Sequence, residues 1–168
     1  MELYLLRHAI AVERGTAGFE DDRLRPLTEE GRAKMRRIAA GMKKLGLEFD
    51  LILTSPYVRA RETAELVVAA LDQKVGFEIE PALQADRSPQ GFVAKLASKF
   101  VHRERVLAVG HEPFLSSLAT LLLGLPGGSA LALKKGGLCK LMVTQFTPRP
   151  VARLDWLLTP KLLRMIAV

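Results

Sequence analysis

The sequence has few of the residues that build disulfides, metal sites and stacking surfaces. Its 168 residues include one cysteine, three histidines, one tryptophan and two tyrosines. No intramolecular disulfide is possible, and Cys139, which lies in an apolar run, is expected to be a buried and inert thiol. The scarcity of histidine and cysteine ligands argues against a metal site, and the scarcity of aromatic rings argues against base stacking with nucleic acid.

Long hydrophobic runs are also missing. The longest apolar segment, around Leu118 to Leu125, is much shorter than the roughly 20 residues that a membrane helix needs. Near the N-terminus, Arg7 and His8 interrupt an apolar stretch that no basic region precedes, so this stretch does not resemble a signal peptide. We expect a soluble, cytoplasmic protein without membrane attachment, folded as a single domain over residues 1–168.

Positive charge is in excess. The 25 lysines and arginines outnumber the 18 acidic residues, which gives a net charge of +7. Such a charge suits nucleic acid, an acidic surface or a phosphorylated substrate. The basic residues are spread from Arg7 to Arg164 and do not form a tail, so charge alone leaves the class of partner open.

Apolar runs typical of strands alternate with amphipathic segments typical of helices. The predicted strands are Glu2–Arg7, Phe49–Thr54, Val75–Glu80, Arg105–Gly110, Ala130–Leu133, Leu138–Thr144 and Ala152–Leu158. The predicted helices are one that Thr28 caps and Gly46 ends, then Tyr57–Leu71, Pro89–Phe100 and Pro113–Leu123, with a turn at Gly124–Ser129. This alternation predicts an α/β fold, a three-layer sandwich with a mostly parallel central sheet and helices on both faces.

Polar residues follow three of these strands at the points where the strands end. Arg7 and His8 end the first strand, Arg59 follows the second in the first turn of a helix, and His111 follows Gly110. Ligands in such folds bind beyond the carboxyl ends of the strands. A neutral imidazole can attack phosphorus, and guanidinium groups and helix N-termini bind phosphoryl oxygens. The pattern therefore favours phosphoryl chemistry at this edge of the sheet.

Motifs for other chemistry are incomplete. His111 and Glu112 begin a zinc-protease pattern, but the second histidine that this pattern requires is replaced by Leu115. The sequence contains neither a Walker A loop nor a dinucleotide-binding glycine motif. His102 lies in a basic stretch and is expected to be exposed, and Arg61 is expected on a solvated helix face beside Glu62 and Glu65.

Five segments together form a recognisable pattern. They are Leu6-Arg7-His8-Ala9, Arg25 to Gly31, Thr54 to Ala64, Gly110-His111 and Trp156 to Pro160. In these segments and in their order, which cover nearly the whole chain, the sequence resembles the histidine phosphatase superfamily, also called phosphoglycerate mutase-like. The resemblance is to its small bacterial SixA type of phosphohistidine phosphatase.

The resemblance implies roles for several residues. His8 would be the nucleophile that carries a transient phosphoryl group, and Arg7, Arg59 and His111 would complete the phosphate pocket. Arg25 matches a further arginine of the SixA-type pocket. The resemblance implies no metal and no cofactor, a phosphorylated protein such as a histidine phosphotransfer domain as partner, and phosphate or sulfate as ligands of the pocket.

The sequence departs from the family pattern at two places. The usual Arg-His-Gly is Arg-His-Ala here, and we expect the pocket to accommodate the small side chain of Ala9. Larger members of the superfamily carry a proton-donating carboxylic acid at a position that aligns with Ala85. Asp86 is adjacent to it, and we expect its side chain to point elsewhere.

The preferred function is hydrolysis of phosphohistidine on a partner protein through a phosphohistidine intermediate. A phosphatase for small phosphoesters on the same pocket is the alternative among enzymes. A basic module that binds phosphoproteins or nucleic acid without turnover is the alternative from another class. Such a module would account for the net charge, but it would not account for polar residues at three strand ends.

Overall fold

The computed structural model describes residues 1–72, 75–126 and 131–168, which contain six strands and five α-helices. The strands are β1 (Glu2–Arg7), β2 (Leu51–Thr54), β3 (Phe77–Ile79), β4 (Arg105–Gly110), β5 (Leu138–Gln145) and β6 (Val151–Leu158). The helices are α1 (Glu29–Lys44), α2 (Val58–Leu71), α3 (Pro89–Lys99), α4 (Phe114–Leu122) and α5 (Pro160–Ile166). Two short 3-10 turns lie at Asp22–Leu24 and Pro81–Leu83.

The six strands form one mixed sheet in the order β3-β2-β4-β1-β5-β6. Strands β1 to β4 are parallel where they are neighbours, and β5 and β6 are antiparallel additions at one side. Arg7 pairs with Gly110 and Thr54 with Val109, so β1, β2 and β4 end at the same edge of the sheet. The mostly parallel sheet is confirmed, and it brings the three predicted strand ends together.

Helices cover both faces of the sheet, as predicted. In β1, Leu3 and Leu5 point to one face and Tyr4 and Leu6 to the other, and all four are buried. Helices α3 and α4 pack on the first face, and α1, α2 and α5 pack on the second. Burial on both faces explains why β1 is a continuous apolar run without polar alternation.

A local signal places the start of α1 where the sequence predicts it. The Oγ1 of Thr28 caps α1 by accepting a hydrogen bond from the N–H of Gly31 at 2.9 Å.

Cys139 lies fully buried in β5, and burial raises the pKa of its thiol to about 12. It is therefore the inert thiol that its apolar surroundings predict. Within the described ranges, none of the helices combines the length and hydrophobicity that a membrane span requires.

One predicted strand is absent from the described residues of the structure. Residues 131–133, the described part of the predicted strand Ala130–Leu133, belong to no strand. The N–H of Leu133 instead donates to the Glu112 carboxylate, and its carbonyl accepts from Arg7, so its backbone bonds go to side chains. Residue 130, like residues 127–129 of the predicted turn Gly124–Ser129, lies outside the described residues, while Leu123 and Gly124 do form a turn.

Helix α5 was not predicted, because its seven residues are too few to establish a helical hydrophobic period. Its start does carry a signal. Thr159 is the N-cap residue, with Oγ1 accepting from the N–H of Leu162 at 3.3 Å, and Pro160 occupies the first turn. The buried Leu163 attaches α5 to α1.

The contact between α1 and α5 depends on a glycine. A Cβ on Gly41 would lie 2.0 Å from the carbonyl oxygen of Leu163, so any side chain there would force the helices apart. We expect Gly41→Ala to lower the free energy of unfolding by about 1–3 kcal/mol in a urea titration. Gly91→Ala in α3 is the matched control, because a Cβ there meets no atom within 4 Å. Equal stability of the two variants would contradict this packing.

Candidate functional site

The five site residues predicted from the sequence line one cleft of about 300 Å³ at the carboxyl edge of the sheet. They are Arg7, His8, Arg25, Arg59 and His111. Hydrogen bonds continue the sheet to the site, since the N–H of His8 donates to the carbonyl of Gly110 at 3.0 Å. We call this pocket the His8 cleft.

His8 is a buried, neutral imidazole. Its ring Nδ1 lies 2.7 Å from the carbonyl oxygen of Ala9. A carbonyl oxygen only accepts hydrogen bonds, so Nδ1 carries the proton and Nε2 keeps its lone pair. Burial, followed by the proximity of His111, holds the pKa of His8 well below its ordinary value. The Nε2 lone pair is therefore available near neutral pH, where it accepts from the Nε of Arg59 at 3.3 Å.

Ala9 fits the backbone at the position where the family pattern has glycine. Among the described residues Asp72 is the one non-glycine residue with a positive φ, so Ala9 has a backbone conformation that alanine adopts readily. Its side chain is buried, and its N–H donates to the Oγ1 of Thr63 at 3.1 Å. This bond connects the loop after β1 to α2.

Arg59 projects from the first turn of α2 and is 3% exposed. Its Nη1 donates to the main-chain carbonyl of Asp22 at 2.5 Å, and its Nη2 donates to the Asp22 carboxylate at 2.9 Å. The guanidinium also stacks over the Tyr57 ring at 4.9 Å, and burial lowers the pKa of Arg59.

Arg61, two residues on, is exposed as predicted. Glu62, expected beside Arg61, instead pairs with Arg32 at 2.9 Å.

Asp22 is the residue of this site that the sequence reasoning missed. Its carboxylate accepts from Arg59, from the Nε of Arg25 at 2.9 Å and from the Nε of Arg14 at 3.1 Å. Burial would raise the pKa of this carboxyl, but the hydrogen bonds from Arg25 and Arg14 and the charge of Arg59 hold it well below its ordinary value. The available signal was its spacing of three residues from Arg25 in a polar loop, which is a weak one.

His111 is also neutral and has one ring nitrogen without a partner. It is 1% exposed, and its Nε2 lies 2.8 Å from the Oγ of Ser55. That hydroxyl also accepts from the N–H of Tyr57 at 3.4 Å, and in the tautomer in which it donates to Nε2 the ring proton of His111 is on Nδ1. Nδ1 is buried without a partner among the described residues. Burial, followed by the charge of Arg59, lowers the pKa of His111 to about 3.

Arg7 likewise has an unsatisfied donor. One guanidinium nitrogen, Nη1, donates to the carbonyl of Leu133 at 2.8 Å, while Nε is buried without a partner in the described part of the chain. Burial lowers the pKa of Arg7, and the nearby Glu112 opposes this effect. A buried N–H without an acceptor costs about 1–3 kcal/mol, so Arg7 favours an anionic ligand, and His111 supplies a second donor to it in the tautomer with the proton on Nδ1.

Carboxylates near the cleft differ from those considered in the sequence. Ala85 lines the cleft, and the exposed Asp86 is not among its lining residues. Two other acids, Glu13 and Glu112, line it. The Glu112 carboxylate accepts from the Oγ of Ser116 at 2.7 Å and from the N–H of Leu133 at 3.2 Å, so it holds α4 and the 131–137 loop in place. No group of three or more potential metal ligands clusters in the described ranges.

Comparison with known proteins fits this geometry. Residues 3–85 match the family model of the histidine phosphatase superfamily (branch 1). An uncharacterised protein of Picosynechococcus is 36% identical over 145 residues, which cover 82% of each chain. The phosphohistidine phosphatase SixA of Escherichia coli is 29% identical over 128 residues, covering 73% of this chain and 74% of that protein. This chain belongs to the histidine phosphatase superfamily.

Solved structures of the superfamily share the whole fold. The structure of the protein histidine phosphatase SixA with tungstate superposes with a TM-score of 0.82 at 24% identity, covering 96% of this chain and 98% of that one. The alpha-ribazole phosphatase of Shigella flexneri gives a TM-score of 0.75 at 22% identity, covering 95% and 97%. One fold thus serves different phosphatases, and the substrate has to be argued from the site.

The low pKa of His111 makes the stability of the fold sensitive to acid. In the unfolded chain His111 binds a proton as the pH falls below about 6.5, whereas in the folded protein its pKa is about 3. The folded state therefore loses stability relative to the unfolded state as the pH falls between these two values. Between about pH 7 and about pH 5, we expect the parent to lose about 2 kcal/mol more stability than His111→Gln in urea titrations.

The matched control for this experiment is His102→Gln, because His102 is exposed and precedes β4, whereas His111 follows the other end of this strand. Its pH profile of stability should follow that of the parent. A His111→Gln profile that matches the parent as well would show that His111 is not a buried neutral imidazole.

Proposed function

We propose that this protein is a metal-independent phosphohistidine phosphatase that transfers the phosphoryl group of a partner protein to His8 and then to water. The observation that carries the proposal is the state of His8. It is buried and neutral, with the Nε2 lone pair beside Arg59, and the same cleft is lined by Arg7 and His111, each of which has a buried nitrogen without a partner among the described residues. The relation to the phosphohistidine phosphatase of Escherichia coli supports it.

In the first step the Nε2 lone pair of His8 attacks phosphorus, and the bond from phosphorus to the substrate nitrogen breaks. If the substrate imidazole is protonated, it leaves as a neutral ring, so no further proton is needed. Arg59 donates to the Nε2 lone pair in the ligand-free site, and this donor turns to a phosphoryl oxygen when that lone pair forms the new bond. Arg7 and His111 donate to the other oxygens.

In the second step water attacks the phosphoryl group on His8 and the nitrogen–phosphorus bond breaks. The electron pair returns to Nε2, both protons of the water leave on dihydrogen phosphate, and His8 is again neutral with its proton on Nδ1. The carbonyl of Ala9 fixes this tautomer through both steps.

Arginine side chains replace the metal ion of other phosphoryl-transfer sites in this proposal. Arg7, Arg25 and Arg59 all line the cleft, and each is a permanent cation with directed donors. Asp22 binds Arg25 and Arg59, so their guanidinium groups are oriented before a ligand arrives. Preorganised donors of this kind stabilise charge that develops in the transition state.

His8→Ala should abolish turnover and leave the fold intact, since it removes the attacking nitrogen from a site where packing is supplied by other residues. With excess EDTA present, rapid acid-free quenching of labelled substrate should trap a phosphoenzyme in the parent and none in the variant. His102→Ala is the control, because this histidine is exposed, and it should behave as the parent does. A phosphoenzyme in His8→Ala would contradict the mechanism. Loss of the parent's phosphoenzyme on addition of EDTA would contradict its metal independence.

The substrate class is tested by the leaving group. Ala85 supplies no acid, so an alkoxide, whose conjugate acid titrates near about 15.7, should leave slowly, whereas a neutral imidazole, with a conjugate acid near about 6.5, should leave readily. A plot of log kcat/KM against leaving-group pKa should therefore fall steeply from phosphoramidates and aryl phosphates to alkyl phosphates.

Two variants complete the leaving-group experiment. Ala85→Glu should flatten the plot if its carboxyl reaches the scissile oxygen, and Glu112→Gln tests one of the two carboxylates that line the cleft. A flat plot in the parent, with alkyl phosphates as good as phosphohistidine, would favour the small-phosphoester function.

A further inference from the structure

A second and larger pocket adjoins the His8 cleft. It has a volume of about 520 Å³ and lies between α1, α5 and the loop of residues 131–137. Arg7 and Lys135 line both pockets, so the two are adjacent. We call the second one the basic groove, because its lining includes Arg7, Lys34, Lys134, Lys135 and Arg164.

Close backbone contacts build the groove. A Cβ on Gly31 would lie 2.0 Å from the carbonyl oxygen of Ile10, so the start of α1 can approach this strand end only because residue 31 is glycine. Gly136 has a φ of +77° and donates its N–H to the carbonyl of Arg7 at 3.0 Å. The loop that carries Lys134 and Lys135 is therefore fixed beside Arg7.

The positive charge of the groove is only partly neutralised. No carboxylate is among its lining residues. Lys34 pairs with Glu30 of the same helix, and the charge of Arg164 acts on that glutamate as well. Lys134 and Lys135 are exposed and form no ion pair with a carboxylate of the described residues. Like charges held together in this way favour an anionic partner.

The rest of the lining indicates what kind of anion fits. Ala9, Ile10, Ile38 and Pro160 contribute an apolar surface between the cations. A small phosphate ester would be accommodated by the His8 cleft alone. A groove that adjoins this cleft, mixes aliphatic surface with lysine and arginine, and is larger than the cleft itself fits a polypeptide that carries aspartate or glutamate beside apolar side chains.

We propose that the basic groove binds an acidic segment of the partner protein next to its phosphohistidine. This inference rests on the proposed function and adds a substrate preference to it: phosphohistidine flanked by acidic residues over phosphohistidine in neutral surroundings. Because Lys34, Lys134 and Arg164 line the groove and not the His8 cleft, their charges add binding that is equal in the ground and transition states. They should therefore act on KM and leave kcat unchanged.

The test uses two phosphohistidine peptides of equal length, one with glutamates and one with glutamines around the phosphohistidine. In the parent we expect kcat/KM to be about tenfold higher for the acidic peptide, through a lower KM. Lys134→Glu/Arg164→Glu should abolish or invert this preference, and Lys134→Gln/Arg164→Gln should reduce it by an intermediate amount. High salt should reduce the preference in the parent.

A double variant with the same change in charge serves as the control. Lys99, at the end of α3 before β4 begins, and Arg149, between β5 and β6, are exposed at the opposite edge of the sheet. Lys99→Glu/Arg149→Glu should keep the preference of the parent, which separates the groove from a general effect of net charge.

The outcomes distinguish this inference from the proposed function. Equal kcat/KM for both peptides in the parent, or an unchanged preference in Lys134→Glu/Arg164→Glu, would overturn the groove assignment while the phosphatase function stands. Turnover of an aryl phosphate with neither peptide hydrolysed would overturn the phosphohistidine function itself. Competition by an oligonucleotide as strong as that by the unphosphorylated acidic peptide would show that the groove selects nucleic acid and would overturn an acidic polypeptide as its occupant.

Discussion

The site depends on how buried positive charge is held at the end of a buried sheet. Desolvation lowers the pKa values of Arg7 and Arg59, and Asp22 offsets this cost for Arg59 by accepting from it, while it also accepts from Arg25. The same cations, together with burial, keep His8 and His111 neutral. A neutral His8 is the form with a free electron pair. The ion pairs of Asp22 therefore shape both the anion-binding surface and the protonation state of the nucleophile proposed here.

The sheet supplies the alignment that brings these groups together. β1 lies between β4 and β5, and the pairing of Arg7 with Gly110 sets His8 beside His111, with ring centroids 5.1 Å apart. The cost of ending three buried strands in polar residues is offset because each polar group finds a partner or faces the same cleft. Ser55 illustrates this, since it continues β2 by a bond to Val109 and orients His111 through its hydroxyl.

The parts that could be predicted from the sequence are those with a local period or a strand end. Arg7, His8 and His111 follow apolar runs, and parallel strands deliver their ends to one edge whatever the loops do. Asp22 was missed because its bond to Arg59 spans 37 residues and leaves no periodic trace in a polar loop. The strand predicted at Ala130–Leu133 is absent from residues 131–133 for a related reason. The backbone of Leu133 bonds to the side chains of Arg7 and Glu112, and composition does not reveal such partners.

The depressed pKa makes His8 a weaker base. It also increases the fraction of His8 in the neutral, nucleophilic form. Phosphoryl transfer has a loose transition state in which bond formation to the nucleophile is limited, so the loss of basicity costs little, and full availability of the lone pair matters more. The cations then act with opposite sign on the second step. A phosphorylated His8 ring with its proton on Nδ1 is a cation close to Arg7 and Arg59. This repulsion raises the energy of the phosphoenzyme, so in the proposed mechanism it opposes the first step and favours return of the electron pair to Nε2 in the second.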